Sequence, residues 1–402
     1  MKELTRVAYL VTHPIQYQAP LLRHMANEPC VDLTVFFCSD FSVNGYVDPG
    51  FGKHITWDVP LLEGYRHEFL PALGDSRTVT FWKPWNYGLW NKLGKGNFDV
   101  IWIHGYARFL NWQAILIAKL LGIRVLIRDE ATLVSAKRGP IKQIIKKIFF
   151  AAISRLSDGF LAIGTMNREY YLAHGVPEEK IFLMPYAVDN GFFTDKAKSC
   201  SANREALRAS LDLQQGRPVV LYASKLSERK HPSDLLEAYS QFSNKLSPKP
   251  YLLFIGDGEM RTTLEKEVER LKLGNDVRFL GFKNLGELPC YYELCDVFVL
   301  PSFYEPWGLV VNEAMNAGRA VIVTDQVGSG QDLVKQGENG YVFKAGDVNG
   351  LADALHKVLE DKNRCRAMGE CSLEIISQWG FEQDVAGFKK ALISITGGQF
   401  KS

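Results

Sequence analysis

Short runs that are almost wholly apolar alternate along this chain with segments of helical period, and this alternation constrains the fold more than any other feature. VAYLVT at Val7–Thr12, VIWIH at Val100–His104, VVLYAS at Val219–Ser224, YLLFI at Tyr251–Ile255 and VFVL at Val297–Leu300 show little polar alternation. A strand that is apolar on both faces must be covered on both, and the helical segments between the runs supply the cover. The expected result is an α/β protein of parallel sheets. Further strands are expected at Asp32–Phe37, Val125–Arg128, Phe160–Ile163, Val277–Leu280, Val321–Thr324 and Tyr341–Phe343, with helices near Pro20–Ala26, Trp112–Leu121 and Ile141–Leu156.

The 402 residues exceed the roughly 250–300 that one core normally holds, so two doubly wound domains are expected. They divide as 1–195, a linker at 196–217 rich in Lys, Ser, Arg and Gln with a short helix leading into the second unit, a second domain at 218–380, and a C-terminal helix at 381–402 for which the first domain is one place to pack. Such sheets bind ligands at the carboxyl ends of their strands, so the ligand is expected in a cleft between the two domains. A net charge of +2 leaves no basic field to attract nucleic acid. The seven cysteines include no Cys-x-x-Cys pair, which predicts reduced structural thiols and no zinc site. The first apolar run stops at His13-Pro14, too early for a signal peptide or a membrane span, and a cytoplasmic location is expected.

Function concentrates in PSFYEPWGLVVNEAMNAGRAVIVTD, Pro301–Asp325, where Glu305 and Glu313 flank the start of an expected helix running from Glu305-Pro306 to about Ala317. The free amides of Gly308, Leu309 and Val310 can donate to a diphosphate, and the helix dipole adds about half a positive charge there. Eight helical residues span roughly 12 Å, which lets Glu313 reach a ribose diol while Glu305 meets the hydroxyls of a transferred sugar.

This block resembles the two-glutamate motif of glycosyltransferase family 4, a retaining, nucleotide-sugar-dependent family with the GT-B fold. The resemblance continues through AGRAVIVTD at Ala317–Asp325 and GENGYVF at Gly337–Phe343. It also extends to SKLSERKH at Ser224–His231, where the family has an arginine and, five residues on, a lysine. By that resemblance Lys225 takes the place of the arginine and Lys230 is the family lysine. As exposed loop cations the two would clamp a departing diphosphate, although a lysine cannot grip phosphate bidentately. FIGDGEM at Phe254–Met260 is assigned to loop shaping, and VRFLGF at Val277–Phe282 resembles the region that holds the base. The resemblance also implies that His104, at the end of VIWIH, stands near donor sugar and acceptor. Three segments depart from the family pattern: the first loop has His13-Pro14 where a glycine pair is usual, Ile127–Glu130 reads IRDE, and Pro185–Asp189 reads PYAVD.

The implied protein is a GT-B hexosyltransferase acting in cell-envelope glycolipid or polysaccharide synthesis. It needs no metal or other cofactor, because lysines and helix amides supply the countercharge; its catalytic residues would be His104, Lys225, Lys230 and Glu305. A nucleotide-sugar epimerase of the same fold and a non-catalytic sugar-nucleotide-binding subunit are the alternatives. A membrane partner is suggested by KRGPIKQIIKKIFFAAISRL, Lys137–Leu156. There Ile141, Ile144, Ile145, Ile148, Phe149, Ala152 and Leu156 are expected to pack inward, and Lys142, Lys146 and Lys147, with Phe150 among them, to face anionic lipid. Trp82, Trp85, Tyr87 and Trp90, with Lys83 and Lys92, form an aromatic cluster suited to an interface or an acceptor. The expected partners are a nucleotide sugar, a glycan or lipid-linked acceptor and the inner face of the cytoplasmic membrane.

Overall fold

A computed structural model describes residues 4–43, 45–48, 53–135 and 140–397. Two compact units make up the chain: Met1–Tyr46, Val59–Tyr186 and Phe381–Ser402 form the first, and Val47–Asp58 with Ala187–Gly380 form the second.

The strands of the first unit are β1 (Thr5–Val11), β2 (Val31–Phe37), β3 (Arg66–Phe69), β4 (Val100–His104), β5 (Arg124–Arg128), β6 (Gly159–Ala162) and β7 (Ile181–Leu183), and the expected apolar runs supply all but β3 and β7. They pair in parallel in the order β7-β6-β5-β4-β1-β2-β3. The two edge strands were not anticipated. β3 reads Arg-His-Glu-Phe and β7 has only three residues; an edge strand is neighboured on one side only and can dispense with a long apolar run. The sheet core is aromatic, with Tyr9 stacked on Trp102 at 3.9 Å between ring centroids.

Helices α1 (Gln18–Ala26), α2 (Phe109–Leu120) and α3 (Pro140–Leu156) flank this sheet. The expected orientation of α3 holds for Phe149 and Leu156, which pack on the core, and fails for the rest of the stripe. Ile141, Ile144, Ile145 and Ile148 are exposed, while Phe150 and Ile153 are fully buried. Apolar residues occupy nearly every side of this helix, so the ring pair decides which side packs. Phe150 fits among Tyr106, Tyr170 and His174 at 5.0–5.6 Å, burying more area than an isoleucine can. Lys146 lies over the Tyr170 ring at 4.6 Å rather than in a basic face, and Lys147 is exposed. Lys137, Arg138 and the side chain of Lys142 lie outside the described residues.

The second unit carries β8 (Val219–Ala223), β9 (Tyr251–Ile255), β10 (Val277–Gly281), β11 (Val297–Leu300), β12 (Ala320–Thr324) and β13 (Gly340–Phe343), all parallel, in the order β10-β9-β8-β11-β12-β13. The segment expected as a linker holds the expected short helix but packs as part of this unit. It forms the end of α4 (Asn190–Ser201) and α5 (Arg204–Ser210), which pack on α6 (Leu288–Leu294). Its polar residues serve as ties: Arg204 donates to Glu293 Oε1 at 2.9 Å and to the Leu294 carbonyl at 2.9 Å. Arg208 is buried and donates to the carbonyls of Gln214 and Arg217. The expectation of reduced thiols fails for one pair, since Cys200 and Cys290 are joined by a disulfide between α4 and α6. Their separation of 90 residues carries no local spacing signal. Cys30, Cys38, Cys295, Cys365 and Cys371 are free.

The C-terminal helix α8 (Phe381–Thr396) packs in the first unit. Phe388 lies 5.4 Å from the Trp102 ring, and Asp384 accepts from Arg128 at 3.3 Å with both side chains 1% exposed. Among the described residues no helix is long and apolar enough to cross a membrane.

Candidate active site

The second unit gathers most of the expected site residues. β8 ends at Ala223 and the chain turns through Ser224–Leu226, bonded to the Gly-Asp-Gly turn that follows β9. Ser224 N–H donates to the Ile255 carbonyl at 3.0 Å and Leu226 N–H to the Asp257 carbonyl at 3.0 Å. Gly256, at φ 124°, lies so close that a Cβ would stand 2.0 Å from the Ser224 carbonyl oxygen. The turn thus shapes the lysine loop. The Tyr222 hydroxyl donates to the Lys225 carbonyl at 2.7 Å and fixes the same loop from below.

Lys230 is not the exposed loop cation expected. It lies in a short 3₁₀ turn, Glu228–Lys230, and is buried, donating to Glu305. Burial pulls its ammonium down, the Glu305 carboxylate opposes that, and the charges of Arg229 and Lys225 add to the downward pull. All four groups therefore share one electrostatic locus. Arg229, which the motif did not single out, has Nη1 3.7 Å from Glu305 and donates to the Tyr304 carbonyl at 2.9 Å. Main-chain bonds hold Glu305 on its other side: its N–H donates to the Gln326 carbonyl at 3.1 Å, and its carbonyl accepts from Gly328 at 3.0 Å.

The helix after Glu305 starts later than expected. α7 spans Leu309–Asn316, with Gly308 as its N-cap at φ 92°. Glu305-Pro306-Trp307 is a loop because Trp307 is buried; its indole stacks on Trp379 at 5.5 Å and donates to Asn312 at 3.0 Å. The left-handed cap suits glycine, and no side chain caps the helix. The first amides, Leu309 and Val310 among them, have no partner inside the helix. Glu313, one turn on, is buried and accepts from the Tyr292 hydroxyl at 2.7 Å. Burial raises its carboxyl to about 7, with the Tyr292 bond acting the other way. Tyr292 sits on α6 with no motif to announce it.

The first unit has its own polar cluster at the carboxyl ends of β1, β4 and β5. His104 ends β4, where its register partner on β5 is Arg128. Burial, then Arg128 and Arg108, pull its imidazole down to about 3. Its Nε2 is 3.8 Å from Glu130 Oε1, the oxygen to which Tyr186 and Tyr17 donate at 2.5 and 3.2 Å. Glu130 closes the departing IRDE segment, to which the sequence assigns no role; its place beside His104 comes from the fold. Burial, Arg108 and His104 likewise pull His13 down to about 4. Among the described residues His13 Nδ1, Gln16 Oε1, His104 Nδ1 and Arg108 Nη1 are buried without a hydrogen-bond partner, leaving polar atoms that a hydroxyl-rich ligand could satisfy.

Residues 203–373 match the family of glycosyl transferases group 1. The lipopolysaccharide core biosynthesis glycosyltransferase LpsE of Rhizobium meliloti is 31% identical over 188 residues, 46% of this chain and 53% of that one. The alpha-D-kanosaminyltransferase of Streptomyces kanamyceticus is 27% identical over 63% of this chain and 64% of its own. The chain spans about half the length of the curated relatives it matches, for example 51% for N-acetyl-alpha-D-glucosaminyl L-malate synthase of Bacillus anthracis. Among solved structures, Anabaena Alr3699/HepE in complex with UDP superposes with a TM-score of 0.74 over 97% of this chain and 100% of that one, at 18% identity. Sucrose-phosphate synthase from Thermosynechococcus elongatus superposes at 0.70 over 98% of this chain and 100% of that chain, at 22% identity. The chain thus has the fold of the two-domain GT-B glycosyltransferases and carries a glycosyl transferases group 1 domain over residues 203–373.

Proposed function

We propose that the protein is a retaining glycosyltransferase that moves a hexosyl group from a nucleoside diphosphate sugar to an acceptor hydroxyl in cell-envelope glycolipid or polysaccharide synthesis. The observation that carries this reading is the buried Lys230 against Glu305, close in sequence to the uncapped N-terminus of α7. Cation and free amides answer a diphosphate that gains negative charge as it departs, and Lys225 and Arg229 add to the same field. No metal is needed for that charge balance. Glu305 meets hydroxyls of the moving sugar, Glu313 accepts from a ribose diol, and Gly308, Leu309 and Val310 present backbone to the phosphates. In the first unit the neutral His104 and the Glu130 cluster offer polar groups suited to an acceptor hydroxyl.

Similar proteins support the direction: one acts in lipopolysaccharide core biosynthesis, and Alr3699/HepE has been solved with UDP and glucose and with UDP-glucose. The test is a panel of nucleotide sugars incubated with the protein, with and without envelope glycolipid, the products read by NMR. A new glycoside with the donor's anomeric configuration supports the reading. Inversion would remove retention, an isomeric nucleotide sugar would indicate an epimerase, and binding without conversion a non-catalytic subunit.

A further inference from the structure

Four isoleucines of α3 stand in water. Ile141, Ile144, Ile145 and Ile148 are 73%, 59%, 61% and 66% exposed, and their spacing sets them along one stripe of the helix. Globular helices turn such a stripe inward, yet here the opposite side carries the buried Phe150 and Ile153. The exposed apolar surface continues onto α2. Trp112 of α2 lies 5.2 Å from Phe149 of α3, and one turn beyond Trp112, Leu116 is exposed, as is Leu120 a turn further. At the start of α2 the exposed Trp82 and Trp85 lie 5.0 and 5.6 Å from Phe109. A connected apolar surface of this extent marks an interaction site.

Charge identifies the occupant. No acid occurs between Glu130 and Asp158, whereas Lys137, Arg138, Lys142, Lys146, Lys147 and Arg155 all fall in that interval. Lys147 and Arg155 are exposed beside the stripe. We propose that the first unit docks through α3 on an anionic lipid surface, the isoleucines entering the acyl boundary and the cations meeting headgroups. A second copy of the chain fits less well, because a twofold pairing through this stripe sets like charges against each other. The proposal stands on the first unit alone and does not depend on the transferase reading.

The test is co-sedimentation of the full chain with phosphatidylcholine vesicles and with vesicles containing phosphatidylglycerol, across a salt series. Binding should rise with the anionic lipid and fall with salt. The double variant Ile144→Ser with Ile148→Ser keeps the charge and should lower partitioning by at least about tenfold. Lys147→Glu with Arg155→Glu should weaken binding to anionic vesicles only. These positions are exposed, so an unchanged unfolding temperature confirms that each variant is folded. Wild-type protein left in the supernatant with both vesicle types, or undiminished binding by the serine variant, overturns the proposal. So does a dimer in light scattering that the serine variant dissociates, which would give the stripe to a second copy.

Discussion

Glu313 shows how far a residue's chemistry exceeds its identity. Its place in the motif suggested a ribose acceptor, but its proton equilibrium depends on Tyr292 and on depth in the fold, neither of which appears in a local pattern. Burial favours the protonated carboxyl and raises it to about 7. A raised carboxyl lowers stability as pH climbs from the unfolded value near 4.5 through 7. A ribose diol donates to the ionised form, so nucleoside diphosphate affinity should increase between pH 6 and pH 8, and Glu313→Gln should flatten that dependence. Calorimetric titration across this interval checks both. A wild-type affinity that does not vary with pH would detach Glu313 from the ligand. Lys230 teaches the same lesson: residue type and spacing were legible, while its burial against Glu305 came from the folding of two separate loops.

Elements were legible where one packing demand dominated. Strands β4, β9 and β11 begin and end where the apolar runs do, because a strand covered on both faces tolerates little else. α7 was misjudged at its start, since Pro306 is a good first helical residue but Trp307 and the left-handed Gly308 postpone the helix. α3 was misjudged in the orientation of most of its stripe, since a helix apolar on several sides leaves its inward face to ring packing. The Gly-Asp-Gly turn was assigned loop shaping, and its geometry gives that role a consequence. Gly256→Ala places a Cβ 2.0 Å from the Ser224 carbonyl at a left-handed φ, which should destabilise the second unit by about 2–3 kcal/mol and displace the lysine loop. Urea denaturation should show the loss, with a matching fall in nucleoside diphosphate affinity. Wild-type stability would mean that the turn relaxes freely.

At the scale of the molecule, chain length and strand–helix alternation implied two doubly wound domains, but local composition misread the boundary. The polar run at 196–217 resembled a linker because its tie to the rest of the unit is made far along the chain, by Arg204 on Glu293, while Arg208 donates to carbonyls inside the run. The return of α8 to the first unit rests on Arg128 and Asp384, 256 residues apart and equally buried. Losing one member of such a pair strands the other charge, so Asp384→Ala should cost about 3–5 kcal/mol. That loss should fall in the unfolding transition of the first unit, with the second unit unchanged, and hydrogen exchange resolved by segment can separate the two. The proposed function rests on the second unit, where Lys230 and Arg229 meet Glu305 and α7 begins four residues on with no side-chain cap. Turnover of Lys230→Ala, measured on folded protein beside its nucleoside diphosphate affinity, tests that arrangement most directly. Acceptor-dependent release of nucleoside diphosphate should fall by roughly 10²–10³, far more than the affinity does, whereas near-wild-type release by the folded variant would contradict it.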